Sequence, residues 1–392
     1  MNDPYRQIDI IQQALASNKS RIAFLLGAGC PFSINIEDGG KKKPLIQDIE
    51  KLTKAICENL KDNNIDKIVA RIPLPEGKKA TIEDILSHVR LLIEVVGEGI
   101  DDFTKENLEG LEKKICEKIT KVVSKELPDN ETPYHQLAAW IGGIPRDNPV
   151  EIFTPNYDLL IESALESKNI PYFDGFIGSK KAFFDLHSIE HEELPPRWVK
   201  FWKLHGSINW WKDPDGKIFR GHSESAENKQ MIYPSHLKYE ESRRMPYFAM
   251  QDRLGHFLAS GQAVLVTCGY SFIDKHLNAI ILERLSANPR SICFGLLYDD
   301  LEKYPEALSR AKETTNLSLI AKNGAIIGCQ QMNWNIKESH TTNHYDFCIE
   351  RVKTDSGDDS AKCNIGNFQV LGKFLLNQIG AIHSNEENEN AE

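Results

Sequence analysis

Apolar positions along this chain recur in two rhythms, short unbroken runs of strand length and longer stretches with helical spacing. Residues 5 to 19 set Ile8, Ile11, Ala14 and Leu15 on one side, which predicts an amphipathic helix. The run IAFLL at 22 to 26 predicts a buried strand. Pro44 opens a helical pattern, LIQDIEKLTKAICENL, since proline suits a first helical turn. Further helices are predicted at 81–98, 103–125 and 132–142, with no convincing strand until 150. The segment from about 55 to 145 therefore reads as a helical module inserted after the first strand.

From 150 the pattern alternates. VEIFT is a strand, and YDLLIESALES a helix beginning beside Asn156. Strands are predicted at 199–204 (VKFWKL), 263–268 (AVLVTC), 292–297 (ICFGLL) and 317–321. Helices are predicted at 246–259, 274–287 and near 305–314, while 210–245 reads as charged, aromatic and irregular. Residues 353–362 read as a loop, FQVLGKFLLNQI as a last helix, and SNEENENAE as an acidic, disordered end. Strands alternating with helices predict an α/β fold, a Rossmann-like, mostly parallel sheet covered on both faces. The expected division is a domain over 1–330, a C-terminal extension over 331–383 and a tail over 384–392.

Composition narrows the function classes. The 392 residues carry 41% hydrophobic and 27% charged side chains, ordinary for a globular chain. A net charge of −10 argues against a general nucleic-acid coat, so the basic clusters at Lys41 to Lys43 and at Arg243 and Arg244 read as solvated surface. The start MNDPYRQIDI lacks a secretory pattern, and no apolar run has membrane length. Eight scattered cysteines without a C-x-x-C pair suggest reduced thiols, hence a cytoplasmic protein.

In a parallel sheet the ligand sits outside the carboxyl ends of the strands. Four segments follow such ends. Gly27-Ala28-Gly29 follows IAFLL, where missing Cβ atoms would let backbone N–H groups face a phosphate. A plain tight turn is the alternative, because Phe32 stands where a dinucleotide fold has its third glycine and no G-K-[ST] follows. FTPNYD carries a Thr-x-Asn-x-Asp cluster, with Asn156 either capping the next helix or projecting into the crevice. KLHGSINWW sets His205 directly after a strand, and TCGYSFID brings another Gly and Ser. The WW at 210 and 211 reads as packed core more than as a lid. His187 with His191, and His340 with His344, have i,i+4 spacing, but both pairs lie in polar stretches and metal is not expected there.

In that order, GAG, T-x-N-x-D, K-L-H-G and G-x-S resemble the sirtuin family of NAD-binding proteins. The resemblance implies that Gly27, Ala28 and Gly29 cradle the pyrophosphate, with Cys30 and Ser33 in the same loop. It implies that Asn156 holds the nicotinamide ribose and places an attacking water, with Thr154, Tyr157 and Asp158 around it. His205 would be the base near the ribose hydroxyls. Gly269 and Ser271 would bind phosphates or the adenosine ribose, and Tyr298 with Asp299 would lie near the adenosine end.

Two departures redirect the resemblance. Zinc-bearing sirtuin deacylases carry two C-x-x-C pairs, whereas this chain has no cysteine between Cys116 and Cys268, so no zinc ribbon and no zinc are expected. The G-I-P-x-F-R that follows the deacylase glycine loop is also missing. With GYSFID and the inserted helices, the chain is similar to bacterial sirtuin-like antiphage defence proteins. Those are NAD hydrolases that deplete the cofactor, one branch working with a HerA-type ring ATPase, a DNA translocase, in large assemblies. The resemblance thus implies an NAD glycohydrolase with NAD as substrate, a homo-oligomer, no direct nucleic-acid contact and no membrane. An NAD-dependent protein deacylase and a non-catalytic NAD or ADP-ribose sensor that scaffolds a partner are the alternatives.

Overall fold

A computed structural model describes residues 3–60, 64–74, 79–95, 103–191, 193–213, 215, 217–221, 246–336, 344–353 and 359–380. Its centre is a sheet of nine strands in which β1 (Arg21–Leu26) lies between β4 (Val150–Thr154) and β11 (Ala263–Cys268). Beyond β4 stand β8 (Val199–Lys203) and β5 (Tyr172–Phe173). Beyond β11 stand β12 (Ile292–Leu296) and β13 (Leu317–Ile320), then β14 (Gly324–Ile327) and β15 (Gln330–Asn333) at the edge. The strands from β5 to β13 are parallel, and β14 and β15 turn back antiparallel.

The α/β class read from the periodicity is what the chain adopts, with helices on both faces. Strand β1 shows why its residues are all apolar. Ile22, Phe24 and Leu26 point into one buried cluster, while Ala23 and Leu25 point into the other. A parallel strand buried on both faces needs this continuous run. The predicted helices at 81–98 and 103–125 are present as Ile82–Val95 and Lys105–Val123, and their buried residues Ile85, Val89, Leu111 and Ile115 join the first cluster. The helix Phe368–Gln378 joins it too, through Phe368, Leu371, Phe374 and Leu375.

Four local expectations are corrected. Pro44 does not open a helix. It closes a hairpin of β2 (Asn35–Asp38) and β3 (Lys41–Pro44), whose turn residues Gly39 and Gly40 both have positive φ, 61° and 73°. That is the demand of a tight hairpin turn, and the helix starts later, at Ile49, capped by Asp48. The helix after β4 runs Leu160–Ser167 and takes its cap bond from Asp158, not Asn156.

Within 210–245 the described residues hold β9 (Trp210–Lys212) and β10 (Ile218–Arg220). They pair with β6 (Phe176–Ile177) and β7 (Ala182–Phe184) in a four-stranded sheet. Trp210 is buried there and Trp211 stacks on Phe219, so the tryptophan pair is packing. The stretch read as a loop at 353–362 contributes to a hairpin of β16 (Ile349–Lys353) and β17 (Asp359–Cys363), with Ile349, Ala361 and Cys363 buried. The antiparallel strands β14 and β15 also escaped the periodicity. The tail at 384–392, Arg243 with Arg244, and His340 lie outside the described residues.

The order of strands fixes where a ligand crevice opens. From β1 the chain first builds outward through β4 and β8, then returns to β11 on the other side of β1 and builds outward again. The reversal between β1 and β11 is a topological switch point, where loops diverge and leave a crevice at the carboxyl ends.

Candidate functional site

At that switch point the turns after β1 and β11 interlock. Gly27 N–H donates to the Cys268 carbonyl at 2.9 Å, and Gly29 N–H donates to the Gly269 carbonyl at 2.9 Å. A Cβ added at Gly27 would lie 2.3 Å from the Gly269 oxygen, and one at Gly29 would lie 2.8 Å from Gly269 Cα. Gly269 has φ +64° and would itself drive a Cβ to 2.6 Å from Cys30 N. These glycines are required by backbone packed on backbone, and the N–H groups of Gly27 and Gly29 are engaged inside the protein. Both of these N–H groups thus face the turn after β11. Residues 28 and 29 remain exposed along the outer side of the turn.

Two neighbours in that loop are also engaged inside the protein. Cys30 is fully buried, its thiol donating to the Cys268 carbonyl at 3.2 Å, and burial pushes its pKa well up. Its side chain belongs to the floor of the site. Ser33 Oγ donates to the Cys30 carbonyl at 2.7 Å and closes the short helix Gly29–Phe32.

The turn after β4 is sewn to the glycine turn. Thr154 Oγ1 donates to the Leu26 carbonyl at 2.7 Å and accepts from Asn156 N–H at 3.1 Å. Asn156 Nδ2 donates to the Gly27 carbonyl at 3.1 Å. Asn156 is nearly buried, 9% exposed, with its amide held against the glycine turn. Asp158 is buried and accepts from Leu160 N–H, and burial raises its carboxyl above the usual range. Tyr157 reaches the helical module, its hydroxyl donating to Glu83 at 3.4 Å.

Lys203, at the end of β8, holds the next turn. Its buried ammonium pairs with Glu162 at 3.0 Å, donates to Ser207 Oγ at 2.9 Å and also donates to the Asp158 carbonyl. Ile208 N–H donates to the Tyr157 carbonyl at 3.0 Å, which ties the KLHGS turn to the TPNYD turn. Gly206, with φ +93°, lets the chain reverse directly after His205.

His205 Nε2 lies 3.2 Å from Asp274 Oδ2, and both side chains are about nine-tenths covered. Strands β8 and β11 are not neighbours, because β4 and β1 stand between them. Three strand spacings amount to about 14 Å, so the two loops lean toward each other across the ends of β4 and β1. The loop 269–274 is built to hold that position. Phe272 is buried with φ +56°, a conformation an aromatic residue adopts only when its surroundings impose it. Asn278 imposes it by donating to the Phe272 carbonyl at 2.6 Å and accepting from Tyr270 OH at 2.8 Å. Ser271 is half-buried in this loop.

The structure therefore brings Gly27, Gly29, Thr154, Asn156 and Gly269 into one bonded set, with the His205–Asp274 pair spanning it. Tyr298 and Asp299 stand one strand further out, after β12. Tyr298 is exposed, and Asp299 forms a surface pair with Lys303 at 3.0 Å. Two participants were missed in the sequence. Asp274 stands in the segment quoted for its Gly and Ser, and an Asp opening a helix reads as an ordinary cap. The turn at 364–367 also lies against the site: Gly366 packs so closely that a Cβ would sit 2.0 Å from the Leu297 carbonyl oxygen. Gln369 donates to the Ser33 carbonyl at 2.7 Å. No local pattern announces a contact between residues so distant in the chain.

Among the described residues no group of three or more His, Cys, Asp or Glu side chains could hold a metal ion. The rings of His187 and His191 lie against each other at a tilt of 32°, centroids 4.3 Å apart. All eight cysteines are unbridged, and no described helix is long and apolar enough to cross a membrane.

Comparison with known proteins gives a partial match. Residues 150–320 match the family model of the SIR2-like domain. That span takes in the TPNYD, KLHGS and GYSFID turns but not the glycine turn after β1. No curated protein matches the chain. Among solved structures, one from work on the mechanism and regulation of Sir2 enzymes is similar at 10% identity and a TM-score of 0.37, covering 76% of this chain and 88% of that one. Two ADP-ribose complexes of mutants of a Sir2 homologue are similar at 13% identity and a TM-score of 0.32, covering 76% of this chain and 87% of theirs. At such scores these structures bear on neither the site nor the activity.

Proposed function

We propose that this chain hydrolyses NAD at the nicotinamide–ribose bond. The observation that carries the reading is the convergence of the Asn156 and His205 turns on the crevice at the β1–β11 switch point, within a stretch that matches the SIR2-like domain. Nicotinamide in NAD is already cationic, so the bond from its ring nitrogen to the ribose C1′ breaks without a strong acid. The electron pair goes to the ring nitrogen, and C1′ becomes oxocarbenium-like. A water oxygen then bonds to C1′, and its proton passes to a base. The products are nicotinamide, ADP-ribose and one proton.

This chemistry needs orientation more than acidity. The Asn156 amide, held by Gly27, is suited to fix the ribose and the water. His205 supplies an imidazole nitrogen that can take the proton of the water. Tyr157 and Asp158 border the nicotinamide, residues 28 and 29 and Ser271 lie toward the diphosphate, and Tyr298 with Asp299 lies toward the adenosine. The water-excluding cover needed for so reactive an intermediate falls to the helices between β1 and β4, which reach Tyr157 through Glu83.

The biological setting follows from the sequence resemblance. It is depletion of NAD during phage infection by an oligomer working with a HerA-type ring ATPase, inside the cytoplasm. The test is to incubate the purified protein with NAD, alone and with that ATPase, and to follow nicotinamide and ADP-ribose. Nicotinamide release that disappears in Asn156→Ala and His205→Ala supports the reading. Release only in the presence of an acylated peptide would establish deacylation instead, and tight NAD binding without turnover would establish a sensor.

A further inference from the structure

We infer that Asp274 is a positioning residue that sets the tautomer and ring orientation of His205, leaving Nδ1 as the nitrogen that takes the proton. The inference rests on the hydrolase reading and adds a residue and an atom to it. A carboxylate beside an imidazole nitrogen favours hydrogen on that nitrogen, and Asp274 Oδ2 lies 3.2 Å from one nitrogen of His205 as an ion-pair contact. That nitrogen is Nε2, which leaves the lone pair on Nδ1. When Nδ1 gains a proton, the adjacent carboxylate stabilises the imidazolium that forms.

The carboxylate is held with little freedom. Its other oxygen, Oδ1, accepts from His276 N–H at 2.9 Å and Leu277 N–H at 3.1 Å, at the start of the 13-residue helix Lys275–Ala287. On the preceding side the chain passes through Phe272, locked by Asn278. One oxygen is thus fixed to the helix and the second is turned across the crevice to an imidazole from a strand three places away. A helix cap needs only the first of these. The second is a charge contact that, among the good capping residues, only Asp offers.

That difference supplies the test. Asp274→Ser keeps an N-cap and removes the partner of Nε2. Asp274→Asn keeps the cap through its carbonyl oxygen but turns an NH₂ toward His205, which favours the opposite tautomer. Nitrogen-15 NMR of histidine-labelled protein, with the signal assigned by its loss in His205→Gln, reads the tautomer directly. Expected are a protonated Nε2 and a bare Nδ1 in the wild type and the reverse in Asp274→Asn. Both variants should lower kcat for nicotinamide release on the order of 10²-fold or more, with KM for NAD little changed and the melting temperature close to wild type. An unchanged tautomer in Asp274→Asn, or full kcat in both variants, would overturn the inference. A wild-type protein that never releases nicotinamide would instead refute hydrolysis, and the NMR arm would still decide the role of Asp274.

Discussion

The side-chain amide of Asn156 donates to the main-chain carbonyl of Gly27 at 3.1 Å, joining the turn after β4 to the turn after β1. The bond fixes the amide of Asn156 against the glycine turn. In Asn156→Asp the carboxylate has the same shape but cannot donate, and it sets a negative oxygen against the carbonyl. Nicotinamide release should fall on the order of 10²-fold or more, and stability should fall by about 1–3 kcal/mol. Product chromatography and urea unfolding measure the two effects separately.

Gly269→Ala places a Cβ 2.6 Å from Cys30 N at φ +64°, where neither backbone can yield cheaply. A loss of about 1–3 kcal/mol is expected from the strained conformation alone. Gly110→Ala is the contrasting case. It lies exposed within the helix Lys105–Val123 with nothing within 4 Å of the new methyl, so stability should rise by up to about 1 kcal/mol. Equal effects in the two variants would contradict the backbone-packing account of the glycine turns.

Glu162 titrates in an unusual range. Burial raises its carboxyl from 4.5 to about 7, against the attraction of Lys203. The folded state therefore holds the proton more tightly than the unfolded chain. Stability from this group is full below the unfolded value and declines as pH rises from about 4.5 to about 7. Glu162→Gln should flatten that slope in a pH series of urea unfolding curves. A slope identical to wild type would show that the carboxylate is charged in the fold throughout.

Phe374 is fully buried, in ring contact with Tyr345 at 5.2 Å and within the same cluster as the sheet. Phe374→Ala should cost about 3–5 kcal/mol. A loss below ~1 kcal/mol would mean that the last helix rests on the sheet without sharing its core.

What the sequence determined by itself was local. The buried strands, most helices and the order of four strand-end turns were legible, because burial on two faces leaves an apolar run and burial on one leaves a period. The turn Asp38-Gly39-Gly40-Lys41 was legible as well, though Pro44 was read in its place. Tertiary structure alone decided why Gly27 and Gly29 lack side chains: the close neighbour is Gly269, some 240 residues later, and its backbone leaves no room. It alone decided that Asp274, which any helix would accept as a cap, also faces His205. Loops from strands that do not touch meet only after every intervening strand has taken its place, so no local period carries their pairing.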